Sequence, residues 1–237
     1  MHLRAVSLAP LSLNPELQST PEKFTARFAT QEELLKFASD NTDIINDSFI
    51  SQAYQRGDKC FALFDGDRIA SYGWYSTEST NISKNLVLHF SDAYVYMYNG
   101  FTAPNYRGQR LHAFGMAAAM STYVAQGYKG LVSYIEAHNF SSIQSCKRLG
   151  YRFFGNVFVF RFFGRRYVVG CPGCTKYDFR VTVNQPARDK KRGRIFKELL
   201  APRASFQRTI SSREKFQNLP INQKNPLEER PLSQKRA

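Results

Sequence analysis

The chain has 237 residues, 43% of them hydrophobic and 14% aromatic, with 20 Phe and 13 Tyr, a globular composition sufficient for one domain with a sizeable core. Its 33 basic against 19 acidic residues give a formal charge of +14, which brings an anionic partner into consideration. Four cysteines in a chain of this length do not form a secreted disulfide framework, and no run approaches the ~20 apolar residues of a membrane-spanning helix, so the expectation is a reducing, cytoplasmic compartment and no transmembrane segment.

Residues 1–22 are rich in Ser, Pro and Leu and read as a flexible leader. Pro10 interrupts their mildly apolar start and no small-residue cleavage site follows, which argues against a signal peptide. "KFTARFAT" reads as a first strand. "TQEELLKFASD" follows with Thr30 as cap, Glu33 three residues on and Leu34, Leu35 and Ala38 on one side, the pattern of a capping-box helix. "NDSFISQAYQRG" is a second helical piece stopped at Gly57, and "CFALFDGDRIASYGWYS" a hairpin turning at Asp65-Gly66-Asp67. "HFSDAYVYMYNGFTA" is a long strand carrying Tyr94, Tyr96 and Tyr98 on one face, closed by Pro104.

"RLHAFGMAAAMSTYVAQG" has helical periodicity and a Gly127 stop; "GLVSYIEAH" is a strand; "NFSSIQSCKRLG" is a short helix with Asn139 as N-cap and Gly150 as stop. A last hairpin is expected over "YRFFGNVFVFRFFGRRYVVGC", turning at Gly164-Arg165. Cys171-Pro172-Gly173-Cys174 is a single CxxC; tetrahedral zinc needs two further ligands and the four histidines show no matching spacing, so the reading is two ordinary thiols and no metal site. Taken together, residues 23–183 form one mixed α/β sandwich domain. From 184 to 237 the chain is polar and Pro-containing, with 14 Lys and Arg against 5 Asp and Glu, the composition of a largely disordered basic tail. Within it, Ile195, Phe196, Leu199 and Leu200 make one short amphipathic piece that can meet an anionic surface.

The stretch "YRGQRLH", Tyr106 to His112, joins a strand end to a helix start, where free N–H groups and the helix dipole suit an anion. In the order "FTAPNYRGQRLHAFGMAAAM" and then "LVSYIEAHNFSSIQSCKRLGY", the chain resembles the GNAT superfamily of acyl-CoA-dependent N-acyltransferases over roughly residues 24 to 170. Pro104, Tyr106, Arg107 and Gly108 match the first family motif; Asn139, Ser142, Leu149, Gly150 and Tyr151 match the second. The resemblance implies a sheet splayed between its fourth and fifth strands, helices on both faces, and acyl-CoA (acetyl-CoA in the first instance) in the opening.

It further implies that the loop of Arg107, Gly108, Gln109, Arg110, Leu111 and His112 holds the pyrophosphate, that Thr102 offers its N–H to the thioester carbonyl, and that Asn139 and Ser142 lie along the pantetheine arm. Arg110 and His112 replace small residues of the pattern. Backbone amides do most of the cradling, so the loop reads as a modified CoA loop, with Arg110 available for a phosphate contact.

Three catalytic candidates follow. Cys146 stands where many family members carry a tyrosine acid; it protonates the leaving thiolate, forms an acyl-cysteine intermediate, or belongs to the apolar stripe of Ile143, Cys146 and Leu149. Tyr98 stands where the family often has a glutamate base, and serves as that base or lines the substrate cleft. Glu136, at the end of the fifth strand, either binds the amine or relays its proton, or is a solvent-facing carboxylate. The expected activity is transfer of an acyl group to an amine-bearing acceptor of unidentified structure. Its rivals are a CoA-binding or interaction module without turnover, and a basic tail that binds nucleic acid or an anionic membrane.

Overall fold

The computed structural model describes residues 1–184. The basic tail expected over 184–237 lies outside the described residues apart from Asn184. The first element corrects the expected leader. Strand β1 (His2–Leu8) points Leu3 and Ala5 to one side and Val6 and Leu8 to the other, and all four are fully buried. A strand packed on both faces carries apolar residues at nearly every position rather than in strict alternation, which is why this one reads only as a mildly apolar start. Residues after it stay with the domain: Asn14 N–H donates to the Leu149 carbonyl at 3.1 Å, and Leu17 is buried.

β2 (Thr25–Phe28) leads into α1 (Gln31–Asp40), whose reciprocal cap is present: Glu33 N–H donates to Thr30 Oγ1 at 3.2 Å and Thr30 N–H to Glu33 Oε2 at 2.8 Å. α2 (Asp47–Gln55) is capped by Asn46 and followed by the hairpin β3 (Lys59–Asp65) and β4 (Arg68–Ser76). Two four-residue strands, β5 (Thr80–Ser83) and β6 (Leu86–His89), precede β7 (Val95–Thr102). Then come α3 (Leu111–Ala125), β8 (Leu131–Glu136), α4 (Phe140–Leu149), the hairpin β9 (Arg152–Phe162) and β10 (Arg165–Gly170), and β11 (Arg180–Val183).

The result is the mixed α/β architecture that the element order implies. One eight-stranded sheet runs β10-β9-β1-β8-β7-β4-β3-β2, and a smaller sheet runs β11-β6-β5. α3 and α4 cover one face with Val6, Leu8, Met116, Met120, Ile143 and Leu149. α1 and α2 cover the β2–β4 half of the other face through Leu34, Ile50 and Trp74, and the small sheet covers the remaining half through Leu88, Val132 and Val157. The small sheet escapes a sequence reading because four-residue strands are too short to establish a period.

The functionally important break lies between β7 and β8. They are parallel neighbours, but only Val95 pairs with Leu131 and Tyr96 with Val132. On its other edge β7 carries an extra residue: Tyr72 faces Phe101 and Trp74 faces Tyr98, so three steps of β7 oppose two of β4, with Asn99 at φ 45°. Such a bulge bends its strand and ends regular pairing. β7 therefore leaves β8 after two pairs, and the sheet opens at the expected place.

Deleting residues 1–8 should abolish the cooperative unfolding transition, since β1 bridges β8 and β9. Leu3→Ala should retain it and cost about 2–5 kcal/mol, measured by denaturant unfolding followed by circular dichroism.

Candidate active site

Between β7 and α3 the chain makes one tight turn over Pro104–Tyr106, places Gly108 at φ 81° and Arg110 at φ 60°, and starts α3 without a side-chain cap. Among the described residues, the N–H groups of Gly108, Gln109, Arg110, Leu111 and His112 donate to no carbonyl. Consecutive free donors at a helix start are a setting that suits an anion. The loop is tethered from outside: Tyr106 Oη donates to Asp65 Oδ2 at 2.9 Å, which also pairs with Lys23 at 2.7 Å. Arg107 Nε donates to the Thr102 carbonyl at 3.3 Å.

Arg110 takes the left-handed conformation that suits glycine, at a cost of about 1–2 kcal/mol for a residue with a side chain. Its guanidinium meets Glu16 Oε2 at 3.0 Å, an exposed pair worth too little to offset that cost alone. The conformation is thus held by the turn and the helix that flank it.

Two cavities meet behind this loop. The larger, of about 820 Å³, is bordered by Thr102, Tyr106, Arg107, Gly108, Arg110 and Leu111, with Arg148 and Leu149 of α4 opposite. The smaller, of about 380 Å³, lies in the sheet opening between Tyr96, Tyr98 and Gly100 of β7, Tyr134 of β8, and Cys146. His112, Met116 and Ser145 border both. A side chain at 112 fits because β7 has none at 100: a Cβ on Gly100 would lie 2.1 Å from His112 Cε1. Burial pushes the His112 imidazole down to about 4, opposed in part by the Tyr72 carbonyl, so it is neutral at pH 7.

The structure brings together most of the residues singled out in the sequence. Gln109 contributes a free N–H but borders neither cavity. Ser142 borders the smaller one, while Asn139 caps α4, its Oδ1 accepting from Ser142 N–H at 3.1 Å and Ser141 Oγ at 3.0 Å. The Glu136 side chain is 46% exposed, pairs with His138 Nε2 at 3.1 Å and borders neither cavity.

Tyr98 is corrected as a base. Its hydroxyl donates to Asp58 Oδ2 at 2.6 Å, and burial together with that carboxylate pushes the phenol well above its ordinary range. It holds its proton. Burial also pushes the Cys146 thiol up to about 11, so it is protonated at neutral pH while facing the smaller cavity. The tyrosine face both packs and lines: Tyr96 stacks on Tyr98 at 5.5 Å and near Tyr134 at 6.2 Å, whereas Tyr94 meets Tyr177 elsewhere.

Asp58 was not foreseen. It is 1% exposed, accepts from Arg56 Nη2 at 2.7 Å as well as from Tyr98, and leaves Oδ1 without a partner. In sequence it is an acidic residue between a helix stop and a strand, the setting of a solvated turn, and only the tertiary approach of β7 buries it. The two thiols of the CxxC sit on a turn against β9, where Cys171 Sγ accepts the Asn156 N–H at 3.1 Å and Cys174 is buried.

No family model and no curated protein matches the chain. Solved structures that do include a GNAT-family acetyltransferase from Novosphingobium aromaticivorans, at 16% identity and a TM-score of 0.43 over 64% of this chain and 59% of that one. Another is a GNAT-family acetyltransferase from Colwellia psychrerythraea, at 14% identity and 0.45 over 64% and 52%. A third is the aminoglycoside N-acetyltransferase AAC(6')-Iy in complex with CoA, at 14% identity and 0.46 over 58% and 98%. The chain thus spans between half and three-fifths of the length of the first two.

Gly100→Ala should destabilise by about 1–3 kcal/mol through its clash with the imidazole, and lose most of that effect in a His112→Ala background, a coupling that a double-mutant cycle of unfolding free energies measures. His112 is depressed in the folded state, so the stability it contributes is present above pH 6.5 and is lost as the pH falls towards about 4. Thermal unfolding across that window should fall more steeply for the wild type than for His112→Gln.

Proposed function

We propose that the chain is an N-acyltransferase that moves an acyl group, acetyl in the first instance, from CoA to an amine. The observation that supports this reading is the run of five free N–H groups, Gly108 to His112, beside a cavity that shares His112, Met116 and Ser145 with the one in the sheet opening. A diphosphate fits the donors of such a run, and an extended amide-bearing arm fits a strand edge left without a partner. Arg148, across the larger cavity, supplies a cation beside the diphosphate.

In this arrangement the thioester carbonyl lies near the residues that border both cavities, and the Thr102 N–H, from the larger one, is proposed to stabilise the oxyanion that forms as the amine nitrogen attacks. The C–N bond forms, the C–S bond breaks, and the departing thiolate takes the proton of Cys146, which is proposed as the acid. The Cys146 thiolate recovers a proton from water that carries the one shed by the amine. Among the described residues no Asp, Glu, Lys or Arg borders the smaller cavity, so the amine is required to be neutral when it attacks. That same feature favours one rival, a CoA-binding module without turnover. The reading based on the basic tail concerns residues outside those described.

Calorimetric titration of acetyl-CoA into the full chain should give saturable micromolar binding, removed by Gly108→Pro. No heat and no thermal shift at millimolar ligand would sink the proposal. With binding established, CoA release in an amine screen separates the transferase from the silent module. Cys146→Ser should then lower kcat by about tenfold or more with little change in KM; an unchanged kcat would return the thiol to the core.

A further inference from the structure

Six of the ten large hydrophobic residues exposed among the described residues belong to one hairpin, β9–β10. Phe158, Phe160 and Phe162 stand on one face of β9, and their partners on β10 are Val169, Tyr167 and Arg165. The opposite face of β9 sends Val157 and Val159 into the core, so the hairpin is anchored on one side and bare on the other. Phe163, at the tip, is 88% exposed. The exposed parts of these side chains come to roughly 500 Å², the upper end of the apolar patch an ordinary monomer shows and the range in which such patches mark an interaction site.

The tip is built at a cost. Phe163 and Gly164 both have positive φ, 46° and 70°, which is the two-residue turn that asparagine followed by glycine serves best. A phenylalanine there bears left-handed strain and exposes nearly its whole ring, and among the described residues its one aromatic partner is the edge of Phe162. Charge completes the pattern. From Tyr151 to Tyr177 the chain has four arginines and one lysine and no acidic residue. Arg165 lies on the aromatic face, while Arg161 and Arg166 pair across the other face beside the tip.

From this juxtaposition we propose that the β9–β10 hairpin is a membrane-docking element: its Phe162–Phe163 tip enters the interface of an anionic lipid bilayer, and Arg161, Arg165 and Arg166 meet the phosphate headgroups. An apolar tip collared by guanidinium groups matches the layering of that interface, where ring and alkyl surface sit below the phosphates and cations at their level. A second copy of the chain fits less well, because self-association through this face brings arginine towards arginine. Unpaired bases also fit less well. His2 stacks on Phe158 at 4.3 Å and Phe160 on Tyr167 at 5.7 Å, so these rings spend their faces on one another and turn edges outward, where base stacking needs a face. The proposal is independent of the acyltransferase reading.

Phe163→Trp tests it directly, because the single native tryptophan, Trp74, is fully buried. The full chain carrying this substitution is titrated with phosphatidylcholine vesicles and with vesicles containing about 30% phosphatidylserine. A blue shift of the new emission with the anionic vesicles, quenched by lipids brominated along their acyl chains and weakened by salt, is the expected result. Phe162→Ser combined with Phe163→Asn should weaken partition of the otherwise native chain by about tenfold or more without lowering its thermal stability, since asparagine suits the turn. Binding without any spectral change would assign the attraction to another part of the chain and overturn the proposal. So would emission already blue before vesicles are added, which would mean that protein covers the tip, and so would a response to a single-stranded oligonucleotide but not to vesicles.

Discussion

Everything distinctive about the candidate site depends on how few residues join β7 to β8. Parallel strands in a covered sheet normally pair along their shared length, because unpaired backbone groups inside a protein are costly. Here the pairing lasts for two residues, and the bulge at Asn99 then turns β7 towards β4. The opening that results is what lets tyrosine side chains from both strands, a cysteine from α4 and a histidine from α3 look into one space. It also leaves strand-edge donors and acceptors for an extended ligand to satisfy. A fully zipped β7–β8 pair would give a more stable sheet with no place for chemistry.

The loop above that opening shows how bulk is redistributed rather than simply tolerated. His112 occupies volume that a small residue would leave free, and Gly100 gives up its side chain in exchange. Arg110 accepts a strained backbone within the run of five unpaired N–H groups, and its guanidinium meets Glu16. Both residues thus leave the N–H groups of the loop unpaired while adding bulk around them. His112, a neutral imidazole, borders both cavities, so on the acyltransferase reading it stands between the loop and the reacting centre.

How much of this was legible in the sequence follows from the range of the interactions involved. Thr30 with Glu33, Asn139 with Ser142 and the Asp65–Asp67 turn act over three residues, and each could be read because its physics is local. The run of unpaired N–H groups where α3 begins follows from the same local physics. β1 was hidden because burial on both faces removes the alternation that marks a strand, and the reason for that burial lies at residues 131–136 and 152–158, far along the chain. Glu136 and Tyr98 were placed on the correct strands, but their roles turn on partners that sequence order does not reveal. One finds His138 and solvent; the other finds Asp58, forty residues away.

That last contact bears on the chemistry as a whole. Asp58 fixes the Tyr98 proton, burial fixes the proton of Cys146, and burial strips the charge from His112. The groups that face the smaller cavity are accordingly neutral, and the Asp58 carboxylate, already shared by Tyr98 and Arg56, does not border it. Such a site has protons to give and no ready acceptor for one. It opposes the entry of an ammonium group, which would lose its hydration without gaining a counter-charge. It equally opposes the departure of a bare thiolate unless a proton moves with it. On the acyltransferase reading, both constraints act in one direction: the amine sheds its proton to water before it reaches the carbonyl, and the protein's own contribution falls at the end of the reaction, on the sulfur, where Cys146 stands.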